Sequence, residues 1–384
     1  MSETKLVQAS RERASRASFL VGGINLSAWA PLVPYARDRL QAGEAELGLL
    51  LLALGVGSLC AMPLAGWAAA RVGYRRLIVV LGGLGALCLP GLAVAPDRAS
   101  LAALLFIYGA SLGGMDVAIN LHAVMVERRA ARPLMSGFHG WFSVGCIVGA
   151  GTISASLALG AEPWLATLAV VALSLCGLWQ AASKLLARGD DGNAAGSHWH
   201  WPHGALLLLG LMAFATFLME GAMLDWSAIA LNTLQAVPTA YAGSAYALFA
   251  IAMTAGRLLG DRWVARLGGG RVLGVGATLA VAGLALALWA RLPGWSLFGY
   301  AMAGLGAANI APLAFSTAGR QPGQSPQVAV AAVSAMGYSG SLVGPALIGF
   351  VAHASSLPFA LTLVACGLAA AVAVGSRPVV GPRR

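Results

Sequence analysis

Residues Gly66 to Arg76 read GWAAARVGYRR, and the stretch that begins 195 residues later, Asp261 to Arg271, reads DRWVARLGGGR. Arg71, Gly73 and Arg76 return there as Arg266, Gly268 and Arg271. The same offset carries Gly109 to Gly304, and the pair Gly145 and Gly149 to Gly340 and Gly344. A single shift that fits a basic connection and two apolar stretches beyond it indicates an internal duplication.

What flanks the repeated connection is almost entirely apolar. Hydrophobic residues make up 59% of the chain and charged residues 10%, against about 25% charged in soluble proteins, so an ordinary soluble domain is excluded. A membrane-spanning helix needs about 20 largely apolar residues. Such stretches fall near 17–37, 46–70, 76–95, 99–126, 134–158 and 163–184, and again near 204–231, 238–262, 271–290, 294–318, 326–352 and 356–377. They are too long for barrel strands of about 10 residues. The expected fold is therefore an all-α membrane protein of twelve transmembrane helices, in two parallel six-helix halves. The halves are 1–184 and 204–384, and the weakly hydrophobic 185–203, with Arg188, Asp190, Asp191, Gly192 and Asn193, is the cytoplasmic linker.

The net charge of +10 raises nucleic acid as a partner, but its distribution argues against that. With the N-terminus inside, the inner segments hold 19 Lys and Arg residues and the outer segments 4, namely Arg37, Arg39, Arg98 and Arg291. That asymmetry follows the positive-inside rule, with both termini cytoplasmic, and makes membrane lipid the neighbour of the basic excess. Arg11, Arg13 and Arg16 before an apolar run suggest a secretory signal; Asn25 within the run, and Pro31 and Pro34 beyond it, suit a retained, kinked first helix better. Five cysteines, all inside predicted spans, form no disulfide framework.

The segment 66–76 resembles the loop between helices two and three of the major facilitator superfamily, commonly written G-x-x-x-D-[RK]-x-G-x-[RK]-[RK]. Gly66, Arg71, Gly73, Arg75 and Arg76 match it, whereas Ala70 stands where the acid is expected. The second copy has Ala265 there and carries its acid at Asp261. In that family the acid helps to latch the cytoplasmic gate, so the resemblance implies a gate or latch role for these residues and for Arg257, Arg266 and Arg271. Asp116-Val-Ala-Ile-Asn120 is similar to the helix-four pattern of the fucose-permease branch, where the acid is associated with proton coupling. GMDVAINLHAVMVERRAARPLMSGFHGWFSVG, EGAMLDWSA and GRLLGDR also look like an uncharacterised bacterial inner-membrane group in that branch. The helix-one acid of fucose permease has no match here; Asn25 lies in that region.

Charges inside a bilayer cost roughly 2.5–3.5 kcal/mol on insertion scales and usually have a partner or a task. Asp116 and Asn120, four apart, share one helix face with Gly113. Asp116 could exchange a proton as its surroundings alternate, or be paired for packing. Glu220 and Asp225 lie roughly 140° apart on an ideal helix, so they meet different neighbours unless Gly221 breaks the helix. Trp226 offers a stacking surface to a sugar-like ligand. Arg257 and Asp261 have the spacing of an intrahelical ion pair. His122 and His139 admit a relay with Asp116 or plain packing. His198, His200 and His203 admit a metal, but Trp199 and Trp201 among them favour an interfacial anchor, and no metal or cofactor is expected. Asn25, Trp29 and Asn309 complete the candidate solute-facing set.

The expectation is a secondary active transporter, not an enzyme, since no nucleophile, base and orienting group stand at recognisable spacing. It would move a small sugar-like or other polar metabolite by alternating access, with proton coupling, as a monomer in a bacterial inner membrane. Efflux of a metabolite or drug is the alternative within the same fold. A non-transporting sensor or scaffold is the alternative in kind, and the short segments outside the spans, which leave no signalling domain, count against it.

Overall fold

The computed structural model describes residues 3–187 and 202–380, and among these every regular element is a helix. The first helix runs Glu3–Ala28, passes through a single 3-10 turn at Ala30–Leu32, and resumes as Val33–Leu40. Pro31 causes this break: it has no amide hydrogen, and its ring meets the carbonyl one turn back. Glu44–Val72, Tyr74–Val94, Arg98–Ala130, Met135–Ala158 and Pro163–Ala182 are the second to sixth helices. The seventh to ninth are Ala205–Gln235, Ser244–Leu267 and Gly269–Trp289. The tenth comes in two pieces, Pro293–Ala307 and Ile310–Ala318, followed by Pro326–Ala354 and Leu357–Gly375.

Eleven of these spans are long and apolar enough to cross a membrane. The eighth, with 24 residues, is about 36 Å long at 1.5 Å per residue, but Arg257, Asp261, Arg262 and Arg266 lower its apolarity. The expected twelve-helix layout is the one observed. Arg188, Asp190, Asp191, Gly192, Asn193, His198, Trp199, His200 and Trp201 fall outside the described residues. All five cysteines are free thiols.

Two compact units emerge. One holds the described residues within Met1–Ala131, Trp141–His200 and Gly323–Ala331; the other holds those within Arg132–Gly140, Trp201–Pro322 and Ala332–Arg384. Each unit thus takes in a short segment, at the start of a fifth or eleventh helix, from the opposite half of the sequence.

Within each unit the repeated glycines are where helices meet backbone to backbone. A β-carbon on Gly109 would fall onto the carbonyl oxygen of Leu54, and one on Gly304 onto that of Phe249; Leu54 and Phe249 are themselves 195 apart. Gly145 and Gly149 press in the same way on the carbonyls of Leu20 and Ile24, and Gly340 on that of Phe214. With lipid on the outside, helices gain nothing hydrophobic by associating, so small residues that permit close packing carry the interface.

The glycine of the repeated connection answers to a different demand. Gly73 has φ 87 and ψ 158, and Gly268 has φ 80 and ψ 150, a region open essentially to glycine alone. It lets one helix end and the next begin with a single residue between them. Two helix starts are capped by side chains. Asp97 and Ser100 form a capping box at the fourth helix, and hydrogen bonds from Ser100 hold the Asp97 carboxyl below the usual carboxylate range. Ser356 accepts from the Phe359 amide at the twelfth.

Gly109→Ala and Gly304→Ala should each lower the stability of the purified protein by about 1–3 kcal/mol through overpacking. Gly274→Ala, which meets nothing within 4 Å, should leave the melting temperature unchanged. Equal melting of all three variants would disprove the packing role.

Candidate functional site

The break in the tenth helix is the starting point. Pro312 cannot donate to the carbonyl of Ala308 and its ring crowds that oxygen, so the helix stops at Ala307 and restarts at Ile310, with Asn309 at φ −106 and ψ 0. The stranded Ala308 carbonyl accepts from Nε of Arg257 at 3.4 Å. The same guanidinium donates through Nη2 to the Glu220 carboxylate of the seventh helix, forming an ion pair. The Arg257 side chain is 7% exposed and that of Glu220 30%, so the pair is closed on the arginine side and open on the acid side.

Asn309 secures the arrangement. Its Nδ2 donates to the Gly256 carbonyl at 3.2 Å, and Gly260 has no β-carbon because Asn309 Oδ1 occupies that space. Asn309 Oδ1 is itself buried without a hydrogen-bond donor among the described residues.

Beyond the intrahelical spacing of Arg257 and Asp261, each charge makes a long-range contact. Arg257 turns to Glu220, while Asp261 Oδ2 accepts from the Gly137 amide at 3.0 Å. Gly137 lies in the first turn of the fifth helix, where amides lack intrahelical partners and the helix dipole favours a carboxylate.

In the other unit, Asp116 and Asn120 lie on the fourth helix, every residue of which from Ser111 to Glu127 is buried. Asn120 Nδ2 donates to the main-chain carbonyl of Asp116 at 2.9 Å and to its Oδ1 at 3.2 Å. Gly113, one turn earlier, faces Ser58 of the second helix, whose carbonyl a β-carbon would approach to 2.7 Å. The shared face expected from the spacing is present.

Asn25 has a different fate. Its Nδ2 donates to the Gly82 carbonyl at 2.9 Å, its Oδ1 accepts from Ser174 Oγ at 2.7 Å, and its own carbonyl accepts from the Tyr108 hydroxyl. The side chain ties the first helix to the third and sixth, and is fully buried. Asn25 was expected to face the solute; here its side chain has no exposed surface and both of its polar atoms are hydrogen-bonded to neighbouring helices.

Trp29, at the break in the first helix, and Trp226 each bury an indole Nε1 that meets no acceptor among the described residues. The six-membered ring of Trp226 has its Cζ2 and Cη2 edge near Gly349. The seventh helix runs unbroken through Gly221. Glu220 and Asp225 therefore diverge, and Asp225 is exposed. His122 is fully buried. Its Nε2 accepts from the Leu186 amide at 3.0 Å, and Nδ1 meets Ser15 Oγ at 2.9 Å, which fixes the proton on Nδ1. Both nitrogens are engaged, so for His122 packing prevails over a relay with Asp116. His139 stacks on Phe315 with ring centroids 5.5 Å apart.

Among the residues expected to form a gate, Arg71 stacks over Trp67 at 3.9 Å. Gly66 abuts the Gln327 carbonyl and the Ala331 β-carbon at the start of the eleventh helix, where a β-carbon of its own would come within 2.9 and 3.0 Å. Gln327 donates to the Tyr74 hydroxyl at 3.1 Å. Arg75, Arg76, Arg266 and Arg271 are exposed at the helix ends. Sequence reasoning missed the Ala308 carbonyl, Ser174 and Gln327. Only the first left a signal, Pro312 four residues downstream.

No family model matches the chain. An uncharacterized MFS-type transporter of Yersinia pestis is 44% identical over 370 residues, covering 96% of each protein. Two solved structures share the fold at low identity. The Escherichia coli fucose:proton symporter FucP has a TM-score of 0.73 at 18% identity, covering 94% of this chain and 97% of that one. The proton:xylose symporter XylE has a TM-score of 0.74 at 12% identity, covering 96% and 95%.

Glu220→Gln leaves a buried guanidinium without its counter-ion. A fully buried pair would lose about 3–5 kcal/mol; with Glu220 partly open, about 1–3 kcal/mol is expected. Adding Arg257→Leu to Glu220→Gln should recover most of that loss in thermal melting. A double variant less stable than Glu220→Gln alone would show that the two side chains do not act as a pair.

Proposed function

We propose, for a chain that belongs to the major facilitator superfamily of transporters, that it carries a small, hydroxyl-rich, sugar-like solute by alternating access with proton coupling. We place it in a bacterial inner membrane with both termini cytoplasmic, on the strength of the 19 to 4 distribution of basic residues.

The observation that carries this reading is the half-open ion pair of Glu220 and Arg257. An ionised acid facing arginine is stable while the site is empty. A proton delivered to the open side of Glu220 neutralises it and releases the guanidinium, which keeps the Ala308 carbonyl and gains freedom to donate to a solute hydroxyl. Loss of the proton restores the pair and expels the solute. Proton and solute then favour one another's binding, and a reciprocal coupling of about 1–3 kcal/mol is typical of such linkage.

Asp116, with one oxygen held by Asn120, is the second protonatable group. The unengaged indole donors of Trp29 and Trp226 suit hydroxyl oxygens as acceptors. The two proteins that share this fold are a fucose:proton symporter and a proton:xylose symporter. Their likeness supports the class of solute without selecting a member, because one fold carries many unrelated substrates.

The test has two stages. Thermal melting of the purified protein against sugars, sugar acids, nucleosides, amino acids and lipophilic cations, at acidic and neutral pH, should find a sugar-like ligand that stabilises it. In proteoliposomes, Glu220→Gln and Asp116→Asn should each cut uptake driven by a pH gradient roughly 5–150-fold while leaving solute exchange at equal pH largely intact. If both variants keep concentrative uptake and its pH dependence, proton coupling through these acids is wrong; if only lipophilic cations stabilise the protein, efflux replaces import.

A further inference from the structure

Near the N-terminal end of the first helix a cavity of about 410 Å³ opens toward the stretch that follows the sixth. Ser10 and Arg11 line one side, and Ser183 and Lys184 the other. Among the described residues no acid lines it, neither cation has an ion pair or hydrogen bond, and neither serine hydroxyl has a partner. Two positive charges and two hydroxyl donors thus converge on one space that no described acid enters. We propose that this cavity is a binding site for an acidic phospholipid, which it recognises by the headgroup phosphate.

Three features favour a phospholipid over a free phosphate ion. The sixth helix ends its apolar span at Ala182, so Ser183 and Lys184 stand at the boundary where headgroup phosphates lie. Leu6 and Val7 line the same cavity and are 49% and 43% exposed, leaving apolar surface uncovered beside the cations. An amphiphilic anion covers both; an inorganic ion covers only the charges. The basic segments of the chain also gather on this side of the membrane, and basic pockets between helices on the cytoplasmic side hold acidic headgroups.

The site is built rather than incidental. One wall is the stretch through Leu185 and Leu186, both buried. It is pinned to the fourth helix by the Leu186 amide on His122 Nε2, and from there to the first helix by Ser15. His122 is a positioning residue: it touches no ligand but holds the two walls at a fixed separation.

The experiment is a titration of purified protein in micelles with phosphatidylglycerol, with phosphatidylcholine, and with inorganic phosphate alone, read by thermal melting and by native mass spectrometry of retained lipid. Phosphatidylglycerol should stabilise the wild type and stay bound, and phosphatidylcholine should not. Arg11→Gln with Lys184→Gln should weaken the phosphatidylglycerol response about 30-fold, with unchanged melting in phosphatidylcholine. Arg13→Gln with Arg377→Gln removes the same charge elsewhere and should keep the full response. His122→Gln should weaken retention although both cations remain. If the double variant does not fold, Lys184→Gln alone, at an exposed position, is read instead. No preference for phosphatidylglycerol in the wild type, an undiminished response in the lining variant, an equal loss in the charge control, or full stabilisation by inorganic phosphate would each overturn the proposal.

Discussion

Close backbone contact at glycine is the constraint on which the rest of this bundle depends. In a bilayer the hydrophobic effect does not press one helix against another, and what holds them is contact distance itself. Gly109 against Leu54 and Gly145 against Leu20 in one unit, and Gly304 against Phe249 and Gly340 against Phe214 in the other, bring main chains together where any side chain would wedge them apart. The fourth helix is consequently buried along its length from Ser111 to Glu127. An acid on that helix sits among neighbours at fixed positions.

Once helix spacing is set in this way, a buried polar group depends on its neighbours for partners, and the match is complete at some residues and partial at others. Asn25 shows the outcome when the match is complete: both amide atoms are engaged, and the residue serves as a tie between helices. Arg257 shows the outcome when the match is deliberately loose. Its partners are a carbonyl that Pro312 has released from its helix and a carboxylate still open on one side. A carbonyl acceptor at membrane depth is tolerated because protein, and not lipid, surrounds it. Arg257 thus has a main-chain acceptor beside its acid partner.

The duplicated scaffold carries its chemistry asymmetrically. At the repeat offset Arg257 corresponds to Met62, and Asp116 to Ala311; both apolar counterparts are fully buried. Gly66 corresponds to Asp261. The first packs on the start of the eleventh helix through bare backbone, and the second holds the start of the fifth by an acid. The two copies retain the positive φ of Gly73 and Gly268, the contact glycines and two arginines at the connection, Arg71 and Arg76 recurring as Arg266 and Arg271. What differs is side chains whose surroundings have diverged.

Much of the fold was legible without coordinates. The number of spans followed from apolar length and the internal repeat from one recurring offset, while the ends of the spans shifted by several residues, as at the first and eighth helices. The kinked first helix followed from Pro31, and the shared face of Asp116 and Asn120 from helical spacing. These are local properties, governed by the chain's own periodicity and by the cost of exposing backbone to lipid. Partner choice was not legible. Four-residue spacing pointed Arg257 at Asp261; the structure adds Glu220, 37 residues away, for Arg257 and Gly137, 124 residues away, for Asp261. Asn25 read as a cavity residue until Gly82 and Ser174 were found around it. Spacing along one helix fixes which side chains share a face; which neighbour that face meets depends on the packing of all the helices together, and only the tertiary structure decides it.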